Sequence, residues 1–277
     1  MRQDGWEAII SSGPGPPLGQ LAKTSSQNIL DNLDKPDKRG PMSTTSKLYQ
    51  YEVCPFCWKV RTALALKKVP YETVEVHPLN KKELQFSEYK KVPVWTDKEG
   101  KQVNDSNEIM SYIDKNYEGP KLFEEDITRA AREKALIEWS EKYVKAIPPA
   151  IYSNFGDSLK AFDYITKTSK FSWHQKALIK FSGAAVMKMV AKKSKERQGI
   201  DDVNAHLVNL TKEWETALEG QKFAGGDKPN AADAAVYGIT MSISTLPASK
   251  LMSAYPGFHK WIEDMGQETG IAFEMAN

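Results

Sequence analysis

Cysteine is scarce in this chain: 277 residues hold two, Cys54 and Cys57, and both belong to one C-x-x-C. That excludes a disulfide-built scaffold. It also excludes a structural zinc site, which needs a second pair of ligands. Covalent haem attachment needs a histidine after the second cysteine, and Trp58 stands there. Histidine is sparse as well. His77, His174, His206 and His259 share no metal-ligand spacing and read as surface or core residues, so no metal site is expected. An excess of charge of either sign is missing: 38 basic against 36 acidic side chains leave a formal +2, which gives no electrostatic case for a nucleic-acid partner. No apolar run approaches the roughly 20 residues that span a bilayer. The first residues lack the basic start and continuous apolar core of a secretory signal. A soluble cytoplasmic protein of one or two domains is expected.

What is present centres on Leu48–Arg61. An extended, aromatic-rich run, Leu48–Tyr51, precedes Cys54-Pro55-Phe56-Cys57, and a helical pattern (Val60, Ala63, Leu64, Lys67) follows. The motif therefore sits at a strand-to-helix turn, where unpaired N–H groups and the positive dipole end stabilise a thiolate. Cys54, at the N-cap or first turn, is the expected nucleophile. Cys57, one turn in and more buried, is the expected resolving thiol. Pro55 suits the first helical position. The bland alternative is a pair of small buried apolar residues; the strand–turn–helix context favours the reactive reading.

Residues 1–46, with Gly13-Pro14-Gly15-Pro16-Pro17 and a polar run Asp31–Arg39, are expected to be a flexible tail. From 47 to 117 the elements alternate. Strand Leu48–Tyr51, helix Phe56–Lys68, strand Glu72–Val76 and a short helix Lys81–Glu88 come first. Strands Val94–Thr96 and Lys101–Val103 then flank a turn at Asp97–Gly100, and helix Asp105–Asn116 closes the run. The order βαβαββα calls for a parallel pair with a right-handed crossover and an antiparallel hairpin, a thioredoxin-type arrangement. Residues 118–124, with Gly119-Pro120, read as a linker. Residues 125–277 carry helical periodicity only, at Ile127–Ile147 (stopping at Pro148-Pro149), Ser158–Lys167, Ser172–Arg197, Ile200–Leu218, Ala231–Thr245 and Phe258–Thr269. The expected fold is an α/β thioredoxin-like domain followed by an all-α domain.

Three further signals stand out. Val92-Pro93 before a strand occupies the position of the thioredoxin fold's cis-proline, which would offer the Val92 backbone to an extended peptide; an ordinary strand-starting proline is the alternative. Asp105 and Glu108 have capping-box spacing. Asp105 could also hold an ammonium and Ser106 a carboxylate, together the two ends of a γ-glutamyl group. Asn230–Asp233 is a capping-box variant and reads as a folding signal. The basic helix Ser172–Arg197 reads as a solvated face over a core, with a membrane surface as the lesser alternative.

These features together resemble the glutathione transferase superfamily. Within it the likeness is greater to the membrane-associated prostaglandin E synthase branch. Several segments carry it: LYQYEVCPFCWKVR (Leu48–Arg61), YKKVPV (Tyr89–Val94), Asn104-Asp105-Ser106, AFDYI (Ala161–Ile165) and GGDKPNAADAAVYG (Gly225–Gly238). The resemblance implies that Cys54 is the catalytic thiol and that Tyr51 contacts it through its hydroxyl. Phe56 and Cys57 would belong to the same site. Val92, fixed by Pro93, would pair its backbone with glutathione, and Asp105 and Ser106 would bind the γ-glutamyl group. It further implies a homodimer, glutathione as cofactor, glutathione-bound haem, and isomerisation of prostaglandin H2 to prostaglandin E2. The stretch matching the haem pocket, Lys188–His206, offers only His206 among lysines, so haem has little support in the sequence. Residues 1–47 carry no hydrophobic anchor like that of animal members. Membrane contact would then be peripheral, and the expected partners are a lipid endoperoxide or a mixed disulfide. Cys57 keeps open a glutaredoxin-like thiol–disulfide oxidoreductase. A non-catalytic, channel-like use of the fold is a second alternative, because soluble intracellular chloride channels also have Cys-Pro-Phe at this corner.

Overall fold

The computed structural model describes residues 43–77, 80–152, 188–246, 248–253 and 255–274. The tail expected over 1–46 falls almost wholly outside these residues. So do the helix expected at Ser158–Lys167 and the first part of that at Ser172–Arg197.

The first half contains β1 (Lys47–Gln50), α1 (Pro55–Leu66), β2 (Glu72–Glu75), β3 (Val94–Thr96), β4 (Gln102–Asn104) and α2 (Ser106–Asn116). The sheet order is β2-β1-β3-β4. β1 runs parallel to β2 and antiparallel to β3, and β3 pairs antiparallel with β4. Adjacent residues of a strand point to opposite faces, and β1 shows the consequence. Leu48 packs with Val60, Leu64, Trp95, Ile109 and Ile113 on the face covered by α1 and α2. Tyr49 packs with Val76, Leu84 and Val94 on the other.

The helix expected at Lys81–Glu88 is instead a single 3-10 turn, Lys82–Leu84. Lys81 before it has φ 47°, outside the helical region. After it, Ser87 Oγ accepts the Tyr89 N–H at 3.0 Å and donates to the Tyr89 carbonyl at 3.1 Å, a local alternative to helix propagation.

The second half contains α3 (Ile127–Tyr152), a helical segment at 188–198, and then α4 (Val203–Ala217), α5 (Ala231–Met241), α6 (Ala248–Ser253) and α7 (Pro256–Thr269). Helix α6 was not anticipated from periodicity. Nor does α3 stop at Pro148-Pro149; it continues to Tyr152. Pro149 has no N–H to give the Lys145 carbonyl. That carbonyl instead accepts Ser194 Oγ at 3.1 Å and Gln198 Nε2 at 3.0 Å, so helix 188–198 supplies the missing donors.

Helix α5 is the hub of this half. All of its residues are buried, and its start carries the capping box expected at Asn230–Asp233. Asp233, with no exposed surface, accepts the N–H groups of Ala224, Gly225 and Asn230 and the Trp261 Nε1–H. Glu133 of α3 accepts the Glu124 and Ala231 N–H groups; burial pushes its carboxyl up to about 7 against those bonds.

Helix α5 lies directly on α1. A Cβ added at Gly238 would stand 2.4 Å from Lys59 N and 2.5 Å from the Trp58 carbonyl carbon, both backbone atoms. Glycine there sets the distance between the two halves. Gly238→Ala is therefore expected to lower stability by about 1–3 kcal/mol, as overpacking does, although helix propensity alone favours alanine by about 1 kcal/mol. Thermal or denaturant unfolding reads the sign, and a stabilised variant contradicts the close-approach account.

Candidate functional site

The chain leaves β1 through a turn in which the Cys54 N–H bonds the Tyr51 carbonyl at 3.0 Å. Cys54 then stands at the N-cap of α1 with extended backbone, Pro55 opens the helix, and the Trp58 N–H closes its first bond on the Cys54 carbonyl. The turn is braced from outside. The Glu52 carbonyl accepts Trp58 Nε1–H at 2.7 Å, and its carboxylate pairs with Arg61 at 2.8 Å. The Arg61 guanidinium lies 3.6 Å from the Trp58 ring centroid. The Glu52 N–H donates to Glu75 Oε1 at 2.9 Å, tying the turn to β2.

The two thiols are unequal. Cys54 is half-buried and Cys57 is fully buried. The Cys57 thiol and the N–H groups of Cys57 and Phe56 draw the Cys54 thiol below its ordinary value although burial opposes them. Burial pushes Cys57 well up, and its bond to Cys54 and the Cys54 charge push it the same way. The two thiols are thus unequal, Cys54 the more readily ionised and Cys57 the less. Burial, then the charges of Cys54 and Cys57, raise the Tyr51 phenol. It stays protonated and able to donate.

The Val92-Pro93 bond is cis, as the fold position implied. Val92 packs with Tyr51 and Tyr89 against the Tyr49–Val94 cluster. Pro93 is buried at the entry to β3. Asp105 caps α2 by accepting the Asn107 N–H at 2.8 Å. Its cap is this single bond, not the reciprocal box expected with Glu108. Asp105 has φ 69° and ψ 137°, outside the usual regions for a non-glycine residue, a local cost of the kind found where a side chain is held for function. Ser106 beside it is buried. Phe56 faces the helical half and packs on its core.

Two features had no signal in the sequence. Lys59 has no exposed surface. Its ammonium lies 3.3 Å from Glu141 Oε1 of α3 and 5.9 Å from the Phe56 ring centroid. Burial lowers its pKa, and the charges of Glu141 and Asp105 oppose that. Tyr89 is the second: burial raises its phenol, and the charges of Asp105, Cys54 and Cys57 reach it.

A shallow groove of about 680 Å³ lies elsewhere, between α3 and α4 around Trp139 and Glu213, away from the thiols. Among the described residues no group of three or more His, Cys, Asp or Glu could hold a metal ion, and no helix is long and apolar enough to cross a membrane. For a haem iron the thiol site would offer the two sulfurs, with no histidine among the groups acting on them. The charged groups acting on Cys54 and Cys57 are each other and Glu75. His206 lies on α4 under the influence of Lys142 and Glu213.

A thioredoxin-like sheet with a thiol at the start of the first helix, joined to an all-helical half, fits the class of glutathione transferases. Models of the glutathione S-transferase N-terminal and C-terminal domains match residues 48–121 and 179–268. The chain belongs to the glutathione S-transferase superfamily and is a glutathione-dependent enzyme. Its relatives include prostaglandin E synthase 2 of Mus musculus, 32% identical over 268 residues (80% of this chain, 70% of that protein). The Danio rerio prostaglandin E synthase 2 is 30% identical over 303 aligned positions (93% and 80%). Glutathione S-transferase omega-1 of Mus musculus is 23% identical over 225 residues (80% and 77%). Among solved structures, apo glutathione S-transferase III superposes with a TM-score of 0.56 at 20% identity, over 84% of this chain and 99% of that one, which speaks to the fold.

Alkylation by iodoacetamide at neutral pH is expected to label Cys54 at least about tenfold faster than Cys57, with a midpoint below the ordinary thiol value of about 8.5. Cys57→Ala, which removes the donor, raises that midpoint; Cys57→Ser, which keeps a hydroxyl donor, does not. Equal labelling of the two thiols contradicts the assignment.

Proposed function

We propose that this chain binds glutathione beside Cys54 and uses the Cys54 thiolate to isomerise the endoperoxide prostaglandin H2 to prostaglandin E2. The carrying observation is the unequal thiol pair: the Cys54 thiol is held below its ordinary value and Cys57 is pushed well above it. The similarity to two prostaglandin E synthase 2 proteins supports the choice of substrate. Tyr51, Phe56 and Cys57 line the thiol. The Val92 backbone, presented by the cis bond to Pro93, pairs with the ligand's peptide. Asp105 and Ser106 take the γ-glutamyl ammonium and carboxylate. A homodimer is the proposed assembly.

In the reaction, the Cys54 sulfur attacks one endoperoxide oxygen. The S–O bond forms as the O–O bond breaks, and the other oxygen leaves as an alkoxide that takes up a proton. The hydrogen on the carbon bearing the sulfur-bound oxygen is then lost as a proton. Its electron pair forms the C=O bond, and the S–O pair returns to Cys54 as thiolate. No net oxidation or reduction occurs, so one thiol suffices.

The contact between the thiols favours a second reading, a glutaredoxin-like oxidoreductase. There Cys54 attacks a mixed disulfide and Cys57 resolves the new one. The test assays variants on both substrates. Cys54→Ser is expected to lose at least about a hundredfold in both reactions, as removal of a nucleophile does. Cys57→Ser is expected to keep prostaglandin isomerisation and lose reduction of protein disulfides. Full activity of Cys54→Ser on both substrates sinks both readings.

A further inference from the structure

Tyr89 packs on the same cluster as Tyr51 and Val92 and has not been given a role. Its position follows from a chain of short contacts. Ser87 Oγ accepts the Tyr89 N–H at 3.0 Å and donates to its carbonyl at 3.1 Å. The same oxygen accepts Gln102 Nε2–H at 2.8 Å, and Gln102 Nε2 also donates to Asn104 Oδ1 at 2.8 Å. The backbone of Tyr89 is thereby pinned alongside β4, the strand that delivers Asp105. Its ring, half-buried, packs with Val92 and Tyr51 on the Tyr49–Val94 cluster. The side chain therefore leaves a backbone tied to β4 and packs on the cluster that Val92 and Tyr51 also cover. The charges acting on its hydroxyl agree with this course: Asp105 acts more strongly than Cys54 and Cys57. Among the described residues the hydroxyl has no hydrogen-bond partner. Asp105 Oδ1 is engaged by the Asn107 N–H, which leaves its second oxygen to a ligand.

Resting on the proposed glutathione site, we infer that Tyr89 completes the pocket for the γ-glutamyl ammonium, its hydroxyl oxygen accepting an N–H beside the Asp105 carboxylate. An ammonium that leaves water needs several acceptors, and Asp105 alone supplies one free oxygen. A phenol adds a second acceptor on a rigid ring with little loss of rotamer entropy. Tyr89 would thus make the site select ligands that carry a γ-glutamyl group over thiols that lack one. It acts in binding and takes no part in breaking bonds.

Calorimetric titration of the wild type and Tyr89→Phe with glutathione, γ-glutamylcysteine and cysteinylglycine tests this. Phenylalanine keeps the ring and its packing, and unchanged thermal unfolding checks that it does. The variant is expected to bind glutathione and γ-glutamylcysteine about tenfold more weakly, the effect of one lost hydrogen bond to a charged group. Its affinity for cysteinylglycine, which lacks the ammonium in question, is expected to stay unchanged. Equal weakening for all three ligands, or for none, overturns the assignment of Tyr89 while leaving glutathione binding intact. A wild type that fails to bind glutathione overturns the underlying site together with it.

Discussion

Helix α1 is held from both sides, and the chemistry depends on how firmly its first turn is fixed. On one side Val60 and Leu64 pack on Leu48, Trp95, Ile109 and Ile113. On the other, Gly238 brings α5 into backbone contact at Trp58 and Lys59. The Glu52–Arg61 pair and the Trp58 indole brace the turn before it. A helix clamped in this way cannot shift its N-terminus relative to the cis Val92-Pro93 bond or to Asp105, because all three hang on one four-stranded sheet. Precise placement of a thiol is what a glutathione-dependent enzyme needs, and here it follows from core packing.

The same burial makes the two cysteines different. Both sulfurs are desolvated, which by itself disfavours the thiolate at each. Cys54, at the cap, meets the open N–H groups of the first turn and the Cys57 thiol, while Cys57 meets the Cys54 charge. Ionising one therefore suppresses ionisation of the other. The buried Lys59–Glu141 pair adds a further link from α1 to α3. Breaking it would strand a charge in the core, so its worth lies more in fixing the two halves than in net stability.

Much of this was readable in the sequence because its signals are local. The βαβαββα order, the C-x-x-C at a strand-to-helix turn, the Asn230–Asp233 box and Asp105 as a helix cap each depend on a few neighbouring residues. What escaped depends on distant ones. Helix α3 passes Pro148-Pro149 because Ser194 and Gln198 satisfy the Lys145 carbonyl from some 50 residues away. The burial of Lys59 depends on α3 bringing Glu141 to it from 82 residues on. Gly238 reads as a weak point in a helix until α1 is laid against it. Tyr89 gains its place through Ser87 and Gln102, a contact between a loop and a strand that no periodicity encodes.

The central claim is that Cys54 is the sulfur that meets glutathione. Mass-spectrometric peptide mapping tests it most directly, after brief exposure of the Cys57→Ser variant to glutathione disulfide, with Cys57 removed so that the first adduct cannot be resolved. The account predicts a glutathione mixed disulfide on Cys54, and none on Cys57 in the reciprocal Cys54→Ser variant under the same conditions. An adduct that forms on Cys57 as readily as on Cys54, or no adduct on Cys54 at all, would contradict it.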